Sequence, residues 1–301
     1  MNINLLRIFY YATKLGSISA AADALCVTQP AATKGLQRLQ EHYEIKFVNL
    51  FGRKLVLTDA GQVLYGIAEK IFETEKQADE VIRDFQERKK GHIRILASES
   101  FGAYYLPFII IPYSRERPHV HVCSNLLPTE LVVEATASLN CDLGFISYPI
   151  EHKKLVVREI LEDRMVVIVP PDHPLADKGT IEPLDLDGQA IIMHENGSAP
   201  QRILEELVSK FHLTISIPLE ISSNEGIKRL VAGGLGISIV SENVAGEEVR
   251  AGKLAAVPLT DGTIRRKFFM VYHKDKYFSE ALQRFVDAVY QWSDEYAKTI
   301  S

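Results

Sequence analysis

"CVTQPAATKGLQRLQ" (Cys26–Gln40) begins a helix in an unusual way. Thr28 can act as the N-cap, and Pro30 is tolerated because the first helical turn does not need its N–H. Ala31, Ala32, Thr33, Lys34 and Gly35 follow, and the first bulky apolar side chain is Leu36. Helical spacing puts Ala32, Leu36, Leu39 and Tyr43 on one side. Pro30, Thr33, Lys34, Gln37 and Glu41 fall on the other, with Gln29 at the head of the helix. Gly35 is a costly choice inside a helix, about 1 kcal/mol below Ala. A slim N-terminal end carrying Gln, Thr and Lys suits the major groove of DNA, where such side chains reach base edges and phosphates. Taken alone, the same face would be read first as a solvated surface helix.

The flanking residues tilt the balance towards DNA. Residues 3–15 read as a helix with Leu5, Ile8, Phe9, Ala12 and Leu15 on one stripe, closed by Gly16. Ser19 is expected to cap a second short helix, "AAADAL", and "CVT" turns into the third, giving a helix-turn-helix. "FGRKLVLT" (51–58) reads as a hairpin with Gly52, Arg53 and Lys54 at its tip, a basic wing for phosphates or the minor groove.

Charge distribution agrees. The 301-residue chain carries a net charge of −5, so the whole is no general polyanion binder. Its first 60 residues nevertheless hold seven basic side chains against four acidic ones, a surplus of +3 that leaves −8 for the rest. Length suggests about two domains, and 47% apolar with 24% charged residues is an ordinary globular mix. Residues 1–25 lack the cationic start and apolar run of a signal peptide, and runs such as "LPFIIIPY" are far short of a membrane span. Cys26, Cys123 and Cys141 show no metal or redox spacing, so a cytoplasmic location with no membrane partner is expected.

"GSISAAADALCVTQPAATKGLQRLQEHYEIKFV" followed by "GRKLVLTDAG" resembles the N-terminal winged helix-turn-helix of LysR-type transcriptional regulators. The likeness runs from about residue 2 to 62, with the Ala-Ala, Gln-Pro-Ala and Thr-x-x-Gly landmarks at the family's spacing. It implies that Thr28, Gln29, Pro30, Thr33, Lys34 and Gln37 form the groove face and that Arg53, with Lys54 beside it, contacts DNA from the wing. The chain departs from the pattern at Val48-Asn49, where family members often have Glu-Arg.

Residues 1–58 are thus expected to form the DNA-binding domain and 59–89 a linker helix. Leu64, Ile71, Ala78 and Phe85 recur every seven residues with Ile67, Thr74 and Val81 between them, a coiled-coil seam suited to dimerisation. From residue 90 onward, strand-like runs alternate with helical stretches, predicting an open, largely parallel α/β sheet in two subdomains. The expected division is 90–162 with 266–301 against 163–265, with a break near Glu162–Arg164 and a return near Thr263–Arg266. "HIRILASESFGAYYLP", "CDLGFIS", "DHPLA" and "VAGGLGISIV" are similar, in order, to the family's effector-binding domain, a fold akin to periplasmic solute-binding proteins.

In open α/β sheets ligands settle at the carboxyl ends of strands, where helix N-termini offer free N–H groups. Ser98, Ser100, Thr129, Ser147, Ser198 and Asn224 stand at such junctions; each taken singly reads first as a plain N-cap, and together with the resemblance they are the candidate effector contacts. The preferred effector is a small anionic metabolite, with Glu99, Glu130, Glu195 and Glu225 opposing a highly charged anion unless they point away. Arg202 could supply a counter-charge.

Other features carry less. His119, His121 and Cys123 alternate on one strand face, where a polar outer face is the plainer reading than a metal site. "AGGLGIS" precedes a strand rather than opening a helix, which fails the dinucleotide-binding context. Phe285 and Trp292 belong to an apolar stripe on the last helix. No nucleophile, base or paired-carboxylate set has catalytic spacing. The resemblance implies a regulator, not an enzyme, with no cofactor beyond a small-molecule effector. Its implied partners are double-stranded DNA, RNA polymerase and further copies of itself, as a homodimer and then a homotetramer. The competing reading is a solute-binding module of the transport-receptor kind.

Overall fold

The computed structural model describes residues 2–51, 54–86, 91–260 and 264–300. By contact the chain divides into two compact units, Met1–Ile82 and Arg83–Ser301.

The first unit opens with α1 (Ile3–Lys14), α2 (Ile18–Ala24) and α3 (Gln29–Tyr43). The cap of α2 is Ser17, not Ser19: Ser17 has extended backbone and its hydroxyl accepts from the Ala20 N–H at 3.3 Å, so the helix starts earlier. Thr28 caps α3 as expected, accepting from the Ala31 N–H at 3.4 Å. The buried side of α3 is Ala32, Gly35, Leu36 and Leu39, while Tyr43 remains exposed. A Cβ at Gly35 would lie 2.5 Å from Ile8 Cδ1 of α1, the end of a side chain that would have to shift to admit it.

β1 (Val48–Phe51) and β2 (Lys54–Leu57) pair antiparallel with Phe51 opposite Lys54, which is the expected hairpin begun three residues earlier. Gln40 ties it to α3, its side-chain oxygen accepting from the N–H groups of Phe47 at 2.9 Å and Val48 at 3.2 Å.

The 28-residue α4 (Asp59–Gln86) is about 42 Å long at 1.5 Å per residue. Its first turns belong to the first unit's core: Ala68 and Phe72 are buried with Leu6, Phe9 and Tyr10, and Tyr65 stacks on Tyr10. Leu64 and Ile71 also pack into that core, so two of the expected seam positions are occupied within the unit. Ile67, Thr74 and Ala78 stay exposed, joined by Val63 and Ile82; the side chains of Val81 and Phe85 lie outside the described residues.

The second unit is two α/β lobes. In chain order come β3 (His92–Ala97), α5 (Glu99–Tyr104), α6 (Leu106–Glu116), β4 (His121–Leu126), α7 (Thr129–Ala137), β5 (Leu143–Ile146) and β6 (Leu155–Val169). Then follow β7 (Ala190–His194), α8 (Ala199–Phe211), β8 (Ser216–Ile221), α9 (Asn224–Ala232), β9 (Ser238–Ser241), α10 (Glu242–Arg250), β10 (Ala255–Val257), β11 (Arg265–His273) and α11 (Glu280–Ile300). The single helix expected over 102–116 is two, parted at Tyr105.

The sheet is mixed, not largely parallel. β3 pairs parallel with β4 and β5, and β7 with β8, but β11 runs antiparallel to β5 and β6, and β6 antiparallel to β9 and β10. Nor is there a break at Glu162–Arg164. β6 is one continuous strand that changes partners, with Arg164 opposite Arg265 and the next residue, Met165, opposite Ser241. The two crossings are therefore adjacent paired strands, which lets the chain change lobes without leaving its backbone hydrogen bonds unmet.

Each lobe buries apolar side chains on both sheet faces. The first lobe packs Phe101, Phe145, Phe268 and Phe285 on one face and Val132, Ile146 and Val271 on the other. The second does so with Val167, Met193 and Ile239 against Val166, Ile192 and Val240. Phe285 is fully buried, while Trp292 is half-buried against Phe101 and Tyr105.

Candidate functional site

On α3 the face opposite the core is free. Thr28, Gln29, Pro30, Lys34 and Gln37 are exposed and Thr33 is half-buried. The Thr33 hydroxyl donates to the Gln29 carbonyl at 3.0 Å, and the Gln29 side-chain amide lies 3.4 Å from the same hydroxyl. This leaves the Gln29 side chain ordered along the first turn. Arg53 lies outside the described residues, and of Lys54 only the backbone pairing in β2 is described.

The second unit carries a cleft with an empty volume of about 400 Å³, open to solvent, at the carboxyl ends of β3, β5 and β7. Ser98, Ser100, Thr129, Ser147 and Ser198 all line it. Thr129 and Ser147 are buried with their hydroxyls 3.3 Å apart. Ser198 caps α8, accepting from the Gln201 N–H at 3.3 Å, whereas Ser98 precedes α5 without making a cap bond. Asn224 is not in the lining. It is 1% exposed, and its backbone N–H and side-chain amide donate to Glu99, with Ser100 Oγ 3.4 Å away; Ser223 is the cap of α9.

The acids are largely engaged. Glu99 accepts from Asn224, and Glu130 accepts from the Tyr148 hydroxyl while its carboxylate lies 3.6 Å from Arg202. Arg202, offered as a counter-charge to the ligand, is engaged here instead, its guanidinium 4.1 Å over the Tyr148 ring. Burial and the Glu130 carboxylate push the Tyr148 hydroxyl up to about 12. Glu225 pairs with Lys228 and Arg229 outside the cleft. Burial pushes the Glu195 carboxyl above the usual carboxylate range despite the His194 ring beside it.

Two residues of the cleft escaped the sequence reading. Arg266 sits on β11 where the chain returns between lobes, its side chain 4% exposed. Its Nε donates to Asp163 at 2.8 Å and Nη1 to Ser100 Oγ at 3.3 Å. Asp163 also accepts from Tyr105 at 2.7 Å and Ser241 at 2.9 Å, so one buried carboxylate gathers donors from both lobes. His194 ends β7 and is 5% exposed. Its position at a strand's carboxyl end was the available signal; for Arg266 the signal was a basic residue at the expected crossing.

Among the described residues no group of three or more His, Cys, Asp or Glu could hold a metal ion. His121 instead stacks on His92 across the β3–β4 pair, ring centroids 5.0 Å apart.

A winged helix-turn-helix joined to a two-lobed α/β unit with a cleft defines a class, and comparison with known proteins places the chain in it. Residues 3–62 match the model for the bacterial regulatory helix-turn-helix protein of the lysR family, and residues 86–294 match the LysR substrate binding domain. The chain belongs to the LysR family of transcriptional regulators, with an effector-binding domain behind the DNA-binding one. It is 31% identical over 284 residues to the HTH-type transcriptional activator CmpR of Synechocystis, spanning 94% of this chain and 93% of the relative. Likeness to the regulatory domain of Synechocystis CcmR, solved in complex with 2-PG, covers 68% of this chain and 98% of that one, at 27% identity and a TM-score of 0.63. A full-length OxyR variant from Pseudomonas aeruginosa shares the fold over 97% of this chain and 94% of its own, at 19% identity and a TM-score of 0.65.

Proposed function

We propose that this protein is a cytoplasmic regulator that binds specific double-stranded DNA through α3 and the wing, and whose output is set by a small molecule held between its lobes. The observation that carries this reading is the α3 face itself: its apolar side is consumed by the core while Thr28, Gln29, Lys34 and Gln37 remain exposed at the slim end. The exposed stripe of Val63, Ile67 and Ile82 on α4 supports a homodimer, which would offer two reading helices to a two-fold-related site. CmpR is an activator and CcmR is solved with a small molecule, which supports effector control here. The protein acts by binding rather than catalysis and needs no cofactor beyond the effector. Pairing of dimers into a tetramer and contact with RNA polymerase complete the reading: the effector binds the two cleft conformations with different affinity and so shifts the assembly on DNA.

Anisotropy titrations of DNA at several salt concentrations test it. Gln29→Ala is expected to relax base preference, costing about 1–3 kcal/mol on the preferred sequence alone. Arg53→Ala is expected to weaken binding to all sequences and reduce the salt slope by about one. Wild-type behaviour in both variants would overturn the assignment of the two faces.

A further inference from the structure

The wing leaves α3 at a turn that one side chain organises. Gln40 stands one helical turn beyond the exposed Gln37 and next to the buried Leu39. Its side-chain oxygen accepts from two successive N–H groups at the base of β1, Phe47 at 2.9 Å and Val48 at 3.2 Å. Its backbone carbonyl accepts from the Ile45 N–H at 3.1 Å, so a residue that closes α3 also receives the chain entering the hairpin. Phe47 and Val48 are buried, where an N–H group needs a partner. The carbonyls of the same stretch go elsewhere: the Thr58 hydroxyl, one residue before α4, donates to Lys46 at 2.7 Å and Phe47 at 3.2 Å. The base of the wing is thus hung between two helices, by its N–H groups from α3 and by its carbonyls from the start of α4.

The apolar side chains of Phe47 and Val48 hold β1 to the core, but burial of this kind has no direction. Two hydrogen bonds to one fixed oxygen do. Val48 and Phe51 end the strand about 10 Å apart, so a tilt of about 10° at the base displaces the far end by roughly 2 Å. A hydrogen bond made to DNA from that end does not survive such a shift.

We propose that Gln40 is a positioning residue for DNA binding, fixing the angle at which the wing leaves the reading helix so that both reach one duplex together. It acts through the hairpin, not on DNA. The proposal rests on the reading of α3 and the wing as the two DNA contacts, and gives a role to a residue that belongs to neither face.

Anisotropy titrations of a fluorescein-labelled random-sequence duplex with full-length protein, over a range of salt, test it in a cycle with Arg53→Ala. Gln40→Leu removes the acceptor, Gln40→Asn withdraws it by one methylene, and Gln40→Glu keeps it. The first two are expected to weaken binding by about five- to tenfold and lower the salt slope by about one, as Arg53→Ala does. In either background Arg53→Ala should then change affinity by less than about twofold, whereas in Gln40→Glu it should keep its full effect. Fragments that wild-type protein selects from genomic DNA should still be preferred by Gln40→Asn, because α3 keeps its own residues. A Gln40→Asn protein that folds and binds like wild type overturns the positioning role while the wing reading stands. Losses that add to that of Arg53→Ala overturn it as well. A first unit that no longer folds in Gln40→Asn, read by circular dichroism, makes Gln40 a residue of stability alone and also overturns it. If Arg53→Ala has no effect in the otherwise native chain, the wing reading itself falls and the proposal with it.

Discussion

Replacing Asp163 by Ala should destabilise the second unit more than any surface change. The carboxylate is 3% exposed, pairs with Arg266 at 2.8 Å and accepts from Tyr105 and Ser241. Removing one partner of a buried ion pair costs about 3–5 kcal/mol, because the other charge is left desolvated. Removing both is far cheaper. The Tyr105 and Ser241 hydroxyls lie 3.2 Å apart and can satisfy each other, so Asp163→Ala/Arg266→Met is expected to cost about 2 kcal/mol or less. Trp292 is the chain's one tryptophan and lies against Phe101 and Tyr105, so its fluorescence follows this unit's unfolding. With a slope of about 3 kcal/mol per molar urea, a loss of about 4 kcal/mol lowers the midpoint by roughly 1.3 M. A single-variant cost below about 1 kcal/mol, or a double variant equal to the sum of the singles, would refute the coupled buried pair.

Three further outcomes follow from local contacts. Asp142 accepts from Arg94 and lies 2.7 Å from Lys276; burial raises its carboxyl, but these two partners outweigh it and hold it below the ordinary range. Its stabilisation is present above the unfolded value of about 4 and is lost as pH falls through the folded one, so Asp142→Asn should cost about 3 kcal/mol at neutral pH and flatten the acid limb of Tm against pH; parallel curves would contradict this. Gly61→Ala places a Cβ 2.0 Å from the Phe47 carbonyl oxygen, backbone that cannot yield, and should lower the circular-dichroism Tm of the first unit sharply. Gly35→Ala meets only the tip of Ile8, so a helix-propensity gain of about 1 kcal/mol offsets the side-chain shift, and the reverse order of the two variants would count against the packing. Burial pushes the Cys141 thiol up to about 11, so in native protein exposed Cys26 should react with a thiol reagent at pH 8 long before Cys141; simultaneous labelling would contradict the burial.

The order of elements was legible because local patterns carried it. Thr28 and Pro30 marked the start of α3, Ser198 and Phe211 bounded α8, and five of six candidate cleft residues came together from separate junctions. What escaped depended on contacts distant in sequence. Strand direction is fixed by pairing partners, and nothing local to "REILEDRMVVIV" says that its first half pairs with β11 and its second with β9. Ser17 and Ser19 are equally good caps as residue types, and only the extended backbone at Ser17 decides between them. The repeat along α4 records apolar positions without saying which are taken up by the unit's own core; Leu64 and Ile71 are, Ile67 is not. Arg266 looked like one of three consecutive basic residues, and the partners that hold it in the interior, Asp163 and Ser100, lie more than a hundred positions earlier in the chain.

Selection of genomic DNA fragments by wild-type protein and by Gln29→Ala, followed by sequencing of the bound pools, puts α3 to the most direct test. Wild-type protein should enrich a discrete set of fragments sharing a two-fold-related motif, and the variant should lose that preference while still retaining DNA at low salt. Pools without enrichment, or the same motif recovered by both proteins, would contradict α3 as the element that reads sequence.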